Sequence, residues 1–264
     1  MSDALRLAFG TLTVLPVRPP RAVQRRTAAG AMILAPVVGL VLGLLCVALL
    51  AATTHGPALL RAALCIALVA LLTRGLHLDG LADTADGLGS GRPPDQALAL
   101  MRRGEVGPFG VVALVLALLV QVAALDWLIT RDLAAGALPV ALVVGRATLP
   151  LLCSSRVPAA RADGLGSAVA GSVTRGGLLG AAVVTLTCLA LVGAGYVALV
   201  GVDLAAAPPW SSGIAVLVGV VLACATTGLL GARCVRRLGG VTGDVLGAAV
   251  ELSFTVCLVV LALA

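Results

Sequence analysis

The stretch HLDGLADTADGLGSG, from His77 to Gly91, follows directly on an apolar run and places three of the chain's twelve acidic residues within eight positions. On a helix Asp79, Asp83 and Asp86 fall at i, i+4 and i+7, so their carboxylates leave one face within about two turns. Like charges stacked this way repel one another. No basic side chain stands inside the cluster, so the face calls for a counter-cation. Hard oxygen donors of this kind suit Mg²⁺ or Mn²⁺ bridging phosphates. A solvated acidic helix start, favoured by the helix dipole, is the plainer alternative.

The rest of the chain defines the medium around that stretch. With 60% hydrophobic residues, 11% charged residues and a mean hydropathy of +1.13, it lacks the roughly one-quarter charged residues of a soluble protein. It reads as an integral membrane protein. Its 18 basic residues are all arginine, a genomic composition bias that carries no function. The net charge of +6 does not imply a nucleic-acid partner, because there is no soluble basic domain and membrane topology explains the charge better. The seven cysteines are scattered singly through apolar runs and read as small membrane fillers, not as disulfides or zinc ligands. Asp3, Arg6, Pro16, Pro19 and Pro20 leave no apolar core for a cleavable signal peptide.

The periodicity predicts an all-α, polytopic membrane bundle. Leu5, Ala8, Phe9 and Leu12 share a helix face, so residues 4 to 15 are expected to form a short helix lying in the interface. Residues 16 to 26 read as an extended cytoplasmic lead-in. The domain reading is therefore an N-terminal cytoplasmic or interfacial segment, 1–26, and a single helical membrane domain, 27–264. Seven apolar runs, at 28–52, 57–76, 108–129, 134–153, 177–200, 211–232 and 244–264, approach the ~20 residues a spanning helix needs. One set of connections holds Arg92, Arg102, Arg103, Arg156, Arg161, Arg175, Arg233, Arg236 and Arg237, and the other holds only Arg61 and Arg131. The positive-inside rule then sets the N-terminus inside and the C-terminus outside. Catalytic loops are expected on the cytoplasmic face at 77–107, 154–176 and 233–244. Short outer loops are expected at 53–56, 130–133 and 201–210.

Within the membrane, Arg146 and Glu251 are the ionisable residues, each costing about 2.5–3.5 kcal/mol at mid-helix. They either pair with each other or line a cavity independently. Gly87, Gly89 and Gly91 either bring backbone amides to a pyrophosphate or form a flexible exit from the acidic helix. Gly39 and Gly43 have the spacing of a helix-packing surface. His77, two residues before Asp79, points about 160° away from it on a regular helix and is set aside as ligand or base.

Arginines facing carboxylates across a cleft suit a phosphorylated substrate. A transporter would need its polar groups near the midplane, around broken helices. Clustering at one surface favours an enzyme acting at the membrane interface.

HLDGLADTADGLGSG also closely resembles the hallmark segment of the cobalamin synthase family, the cobalamin-5′-phosphate synthases or adenosylcobinamide-GDP ribazoletransferases. Further resemblances run along the chain in LRLAFGTLTVLPV from Leu5, MRRGEVGPFGV from Met101, GRATLPLLCSSRVPAARADGLG from Gly145 and GVTGDVLGAAVE from Gly240 to Glu251. In the central motif the family's Asp-Ser-Arg is replaced by Arg103-Gly104-Glu105, whose reversed charges can still form a local ion pair.

The resemblance implies a transferase of the inner membrane of a prokaryote with its active site on the cytoplasmic face. A hydroxyl of α-ribazole, or of its 5′-phosphate, attacks the cobinamide-linked phosphorus of adenosylcobinamide-GDP and releases GMP. It implies Mg²⁺ held by Asp79, Asp83, Asp86 and Asp244, with Asp86 also taking the hydroxyl proton. Arg102, Arg156 and Arg161 would steady phosphate or guanosine groups, with Glu251 at the end of the last motif counted among the substrate-binding residues. The substrates and the lipid bilayer are the expected partners, together with a second copy of the chain or other corrin-pathway enzymes. The alternatives are a CDP-alcohol phosphotransferase, whose signature Asp83-x-x-Asp86-Gly87 partly mimics, and a metal or metabolite transporter. Asp83→Asn is expected to abolish turnover while membrane insertion is unchanged, as read from activity and membrane-fraction yield. Arg131→Ala, on the outer side, is expected to be nearly neutral; a loss as large as that of Asp83→Asn would invert the topology.

Overall fold

Prolines, glycines and capping residues cut the apolar runs into thirteen helices in the computed structural model, which describes residues 1–200 and 213–264. They are α1 (Asp3–Leu12), α2 (Arg25–Ile33), α3 (Ala35–Ala52), α4 (Ala58–Leu72), α5 (Leu76–Gly89), α6 (Pro94–Leu100), α7 (Pro108–Thr130), α8 (Ala134–Ala147), α9 (Leu149–Leu152), α10 (Gly164–Val169), α11 (Arg175–Val200), α12 (Ile214–Leu238) and α13 (Gly243–Leu263). Among the described residues there is no strand, only isolated bridges pairing Ser154 with Val173 and Ala159 with Val241. The connection expected at 201–210 lies outside the described residues.

Helix α1 starts where the Ser2 hydroxyl accepts from the Leu5 N–H at 3.3 Å, a side-chain cap for an otherwise orphaned donor. It buries Ala8, Phe9 and Leu12, the face read from the spacing, and packs on α2. The run expected at 28–52 is broken at Leu34, between α2 and α3. Pro36 explains the break, because it lacks an N–H and its ring would clash with the carbonyl four residues back.

The run expected at 57–76 ends at Leu72, and α5 leaves α4 at an angle of 87°. The corner is made by Arg74 and Gly75, at φ 55° and 66°, and the Gly75 N–H closes the helix end on the Ala70 carbonyl at 2.7 Å. Glycine adopts this left-handed backbone freely, whereas arginine is strained in it.

Among the described residues six helical segments, α8–α9 counted as one, are long and apolar enough to cross a membrane, and the bent α4–α5 pair makes a seventh when counted as one span. The most apolar windows of the α8–α9 segment and of α13 are 83% and 67% buried, against 22% for α7, 22% for α11 and 28% for α12. Thus α8 and α13 form the centre, and the other three turn leucines such as Leu119, Leu179 and Leu229 outward. An apolar exterior of this kind matches hydrocarbon, where every backbone group is satisfied within its own helix.

Helix α3 lies closely along α8 through the expected glycine pair: a Cβ on Gly39 would come within 2.9 Å of Val143 Cα, and one on Gly43 within 2.7 Å of Pro139 Cα. At the end of the bundle away from α5, the Arg131 guanidinium stacks over the Trp127 ring at 3.8 Å. The seven cysteines are free and all but Cys224 are buried, as their reading as fillers requires.

The contact that positions the site is α5 against α13. A Cβ added at Gly80 would sit 2.5 Å from the Asp244 carbonyl oxygen, and one at Gly247 would sit 3.1 Å from the Leu76 carbonyl oxygen. Replacing a helical glycine by alanine gains about 0.8–1 kcal/mol of propensity, but overpacking against rigid backbone costs about 1–3 kcal/mol. Gly80→Ala is therefore expected to lower the thermal unfolding midpoint in detergent; an unchanged or higher midpoint would show that the two helices can move apart freely.

Candidate active site

Asp244 opens α13 under the control of Thr242. The Thr242 hydroxyl accepts from the Val245 N–H at 3.3 Å and donates to Asp244 Oδ2 at 3.0 Å. The residues just before it pair with the 153–174 loop: Ala160 N–H donates to the Val241 carbonyl and Val241 N–H to the Pro158 carbonyl, both at 3.0 Å. Only glycine fits at position 240, where a Cβ would meet the Ala160 nitrogen at 2.5 Å. This pairing delivers Arg161 to the start of α13. Its Nη1 lies 3.9 Å from Asp244 Oδ2, and its Nη2 donates to the Leu98 carbonyl of α6 at 2.6 Å.

Arg161 therefore joins the loop, α6 and α13 at one point. Burial pushes its guanidinium below the ordinary arginine range, with neighbouring Arg102 adding to the effect, while Asp244, Asp163 and Asp83 oppose it. Arg102 forms an exposed ion pair with Asp163 on the rim. Screening by water makes such a pair a minor contributor to stability.

The three aspartates of α5 occupy different environments. Asp79 is exposed. Asp83 is 8% exposed, has no hydrogen-bond partner among the described residues, is repelled by Asp79, Asp244 and Asp86, and is attracted by Arg161. Asp86 turns to α7, where Oδ2 accepts from the Gly107 N–H at 2.7 Å and Oδ1 from the Gly110 N–H at 3.0 Å. A carboxylate at a helix N-terminus satisfies orphaned donors and complements the dipole. The residue expected both as a metal ligand and as the proton acceptor thus has each oxygen engaged by backbone.

The other residues singled out in the sequence are placed as follows. Glu251 does not pair with Arg146 among the described residues; its Oε1 accepts from Gln121 Nε2 at 2.7 Å, and the same amide nitrogen donates to Thr255 at 2.8 Å. This network lies inside the bundle, between α7 and α13. Arg146 is 1% exposed, and its Nη1 reaches only the Leu142 carbonyl, at 3.5 Å. Arg156 is exposed on its loop with no partner among the described residues. Arg103 and Glu105 are likewise exposed and form no ion pair there. Gly87 and Gly89 are packing positions rather than a phosphate cradle, since a Cβ would meet Met101 Sδ at 2.6 Å and Phe109 Cγ at 2.7 Å respectively.

Beside this cluster, α5, α13 and the loop enclose a cavity of about 230 Å³ bordered by Arg161, Asp163, Asp244 and His77. Asp79 and Asp83 do not line it. His77 borders it as a residue 3% exposed, and both of its ring nitrogens are buried without a hydrogen-bond partner. Sequence reasoning set His77 aside because it considered only the acidic face. It also passed over Thr242, whose hydroxyl–acid spacing at a helix start was a readable capping signal, and Gln121, an amide alone in an apolar span.

Among the described residues no three His, Cys, Asp or Glu side chains form a group that would hold a metal ion. Mg²⁺ does not require one, because it usually keeps several waters and takes one or two carboxylates together with substrate phosphates. Asp79 and Asp83, one turn apart and repelled further by Asp244, are donors of the right chemistry for that mode.

Fold and site together define a polytopic helical membrane protein with carboxylates and a partly buried arginine gathered at one end of its bundle. The chain belongs to the cobalamin-5-phosphate synthase family, whose model matches residues 4–262. A relative from Nocardioides sp., named adenosylcobinamide-GDP ribazoletransferase, is 45% identical over 265 residues, covering 98% of this chain and 97% of its own. Relatives of the same name from Frankia casuarinae and Pseudomonas fluorescens are 39% and 38% identical, covering 98% and 97% of this chain and 94% and 98% of theirs. No solved structure matches the chain.

Proposed function

We propose that the chain is a magnesium-dependent transferase that joins adenosylcobinamide-GDP to α-ribazole, or to its 5′-phosphate, in the last assembly step of the cobalamin nucleotide loop. The relatives' name supports the substrates. The observation that carries the chemistry is the meeting of Asp83, Asp244 and Arg161, drawn from α5, α13 and the loop.

A ribazole hydroxyl attacks the cobinamide-linked phosphorus and forms a new P–O bond. The bond from that phosphorus to the GMP oxygen breaks, and the hydroxyl proton passes to a carboxylate. We assign that proton to Asp244, whose Oδ2 is oriented by Thr242. Asp86 instead acts as a positioning residue that ties α5 to α7. Arg161 and Arg102 meet the charge on the departing phosphate, where charge-assisted bonds are strongest, and Arg156 adds to the positive rim. Asp79 and Asp83 would hold Mg²⁺, which when bound neutralises pyrophosphate charge as a Lewis acid.

The arginine imbalance supports a site facing the cytoplasm of a prokaryotic inner membrane. Of the ends of the bundle, the one carrying α6 and the 153–174 loop has Arg92, Arg102, Arg103, Arg156 and Arg161, while Arg61 and Arg131 lie at the other. Detergent-purified protein supplied with Mg²⁺ and adenosylcobinamide-GDP is expected to release GMP only when α-ribazole or its 5′-phosphate is added, and to stop when the metal is chelated. Release without the ribazole substrate, or no release with it, overturns the reading.

A further inference from the structure

Two arginines cross between α6 and the 153–174 loop in opposite directions. From the loop, the partly buried Arg161 donates to the Leu98 carbonyl at 2.6 Å. From just beyond α6, Arg102 donates to Asp163, and these two side chains are 52% and 67% exposed. The first contact already joins the two elements, and an ion pair so open to water adds little to stability. The Arg102–Asp163 contact is therefore not needed to hold the loop in place.

Asp163 also forgoes the bond that its position offers. It is the residue before α10, where an aspartate ordinarily accepts from the first N–H groups of the helix, yet its side chain makes no such bond. It reaches instead to Arg102, at the edge of the cavity that it borders together with Arg161 and Asp244. A carboxylate presents its oxygens to a guanidinium much as a phosphate does. Arg102 is one of the two cations assigned above to the departing phosphate, so Asp163 and the substrate compete for one donor.

Resting on the function proposed above, we infer that Asp163 is a built-in competitor for the substrate phosphate: it holds Arg102 at the rim until a phosphate oxygen takes its place, and then returns to the start of α10. The exchange buries no new charge. Arg102 trades one anion for another, and the released carboxylate meets the first N–H groups and the positive dipole end of a helix. The cost of parting the pair is set against every anion that binds, so Asp163 keeps weakly held anions from occupying Arg102.

The test measures GMP release by the full chain in detergent while adenosylcobinamide-GDP is varied. Asp163→Asn is expected to lower the KM for adenosylcobinamide-GDP about three- to fivefold, the size of one exposed ion pair. Competitive inhibition by GMP should tighten by a similar factor, while the KM for uncharged α-ribazole and the melting midpoint stay as in the wild type. Asp163→Glu, which keeps the charge, is expected to remain near the wild type. In an Arg102→Ala background, where the KM is higher, Asp163→Asn is expected to have no further effect; a general charge effect on an anionic substrate would persist there. An unchanged or higher KM in Asp163→Asn, an equal gain in the Arg102→Ala background, or a lowered melting midpoint that makes the pair structural overturns the exchange while the transferase stands. No GMP release by the wild type removes the transferase reading, and the exchange with it.

Discussion

Two helices that approach without side chains between them set the geometry of this protein. Gly80 on α5 lies against the Asp244 carbonyl, and Gly247 on α13 lies against the start of α5. The carboxylates brought together by that crossing repel one another, and their repulsion would push ordinary helices apart. Dispersion contacts summed over a glycine-lined crossing oppose this, since each is small and their number is large. Arg161 opposes it as well, from a loop held in place by backbone pairing with Val241.

The acidic face of α5 is not a uniform patch. Three aspartates within two turns pass from open water at Asp79, through burial beside an arginine at Asp83, to a pair of backbone donors at Asp86. Identical side chains thereby acquire different capacities. The exposed and half-enclosed ones remain able to accept further bonds, while the innermost is consumed by the start of α7. Environment, rather than residue type, divides the labour among carboxylates on one helix.

Much of the fold could be read from spacing. The apolar face of α1, the spanning runs and the Gly39/Gly43 surface all follow from periodicity and small residues, because helical geometry acts locally. The interruption at Leu34 was visible in Pro36 yet hidden by the length of the run around it. The corner at Arg74 and Gly75 depends on backbone angles that a hydropathy pattern does not encode. The site was legible as a set of residue types and as a family resemblance, but not in its assignments. A helical wheel groups Asp86 with Asp79 and Asp83, and only the packing of α7 reveals the amides that claim it. The search for membrane charges found Glu251 and Arg146 and left open whether they pair, since an uncharged amide such as Gln121 drew no attention.

The stacked Trp127 and Arg131 have a consequence for depth. An indole under a guanidinium combines a flat, lipid-compatible body with a permanent charge, a pairing that favours the headgroup layer. Pro108, where α7 begins, is nineteen residues earlier, and at 1.5 Å per residue that separation is about 29 Å, close to the ~30 Å hydrocarbon thickness of a bilayer. With one boundary gripped by that stack, the first turn of α7 and the aspartate bound to it come to rest at the other. The far anchor thus sets the depth at which the aspartate-bearing end of the bundle meets water.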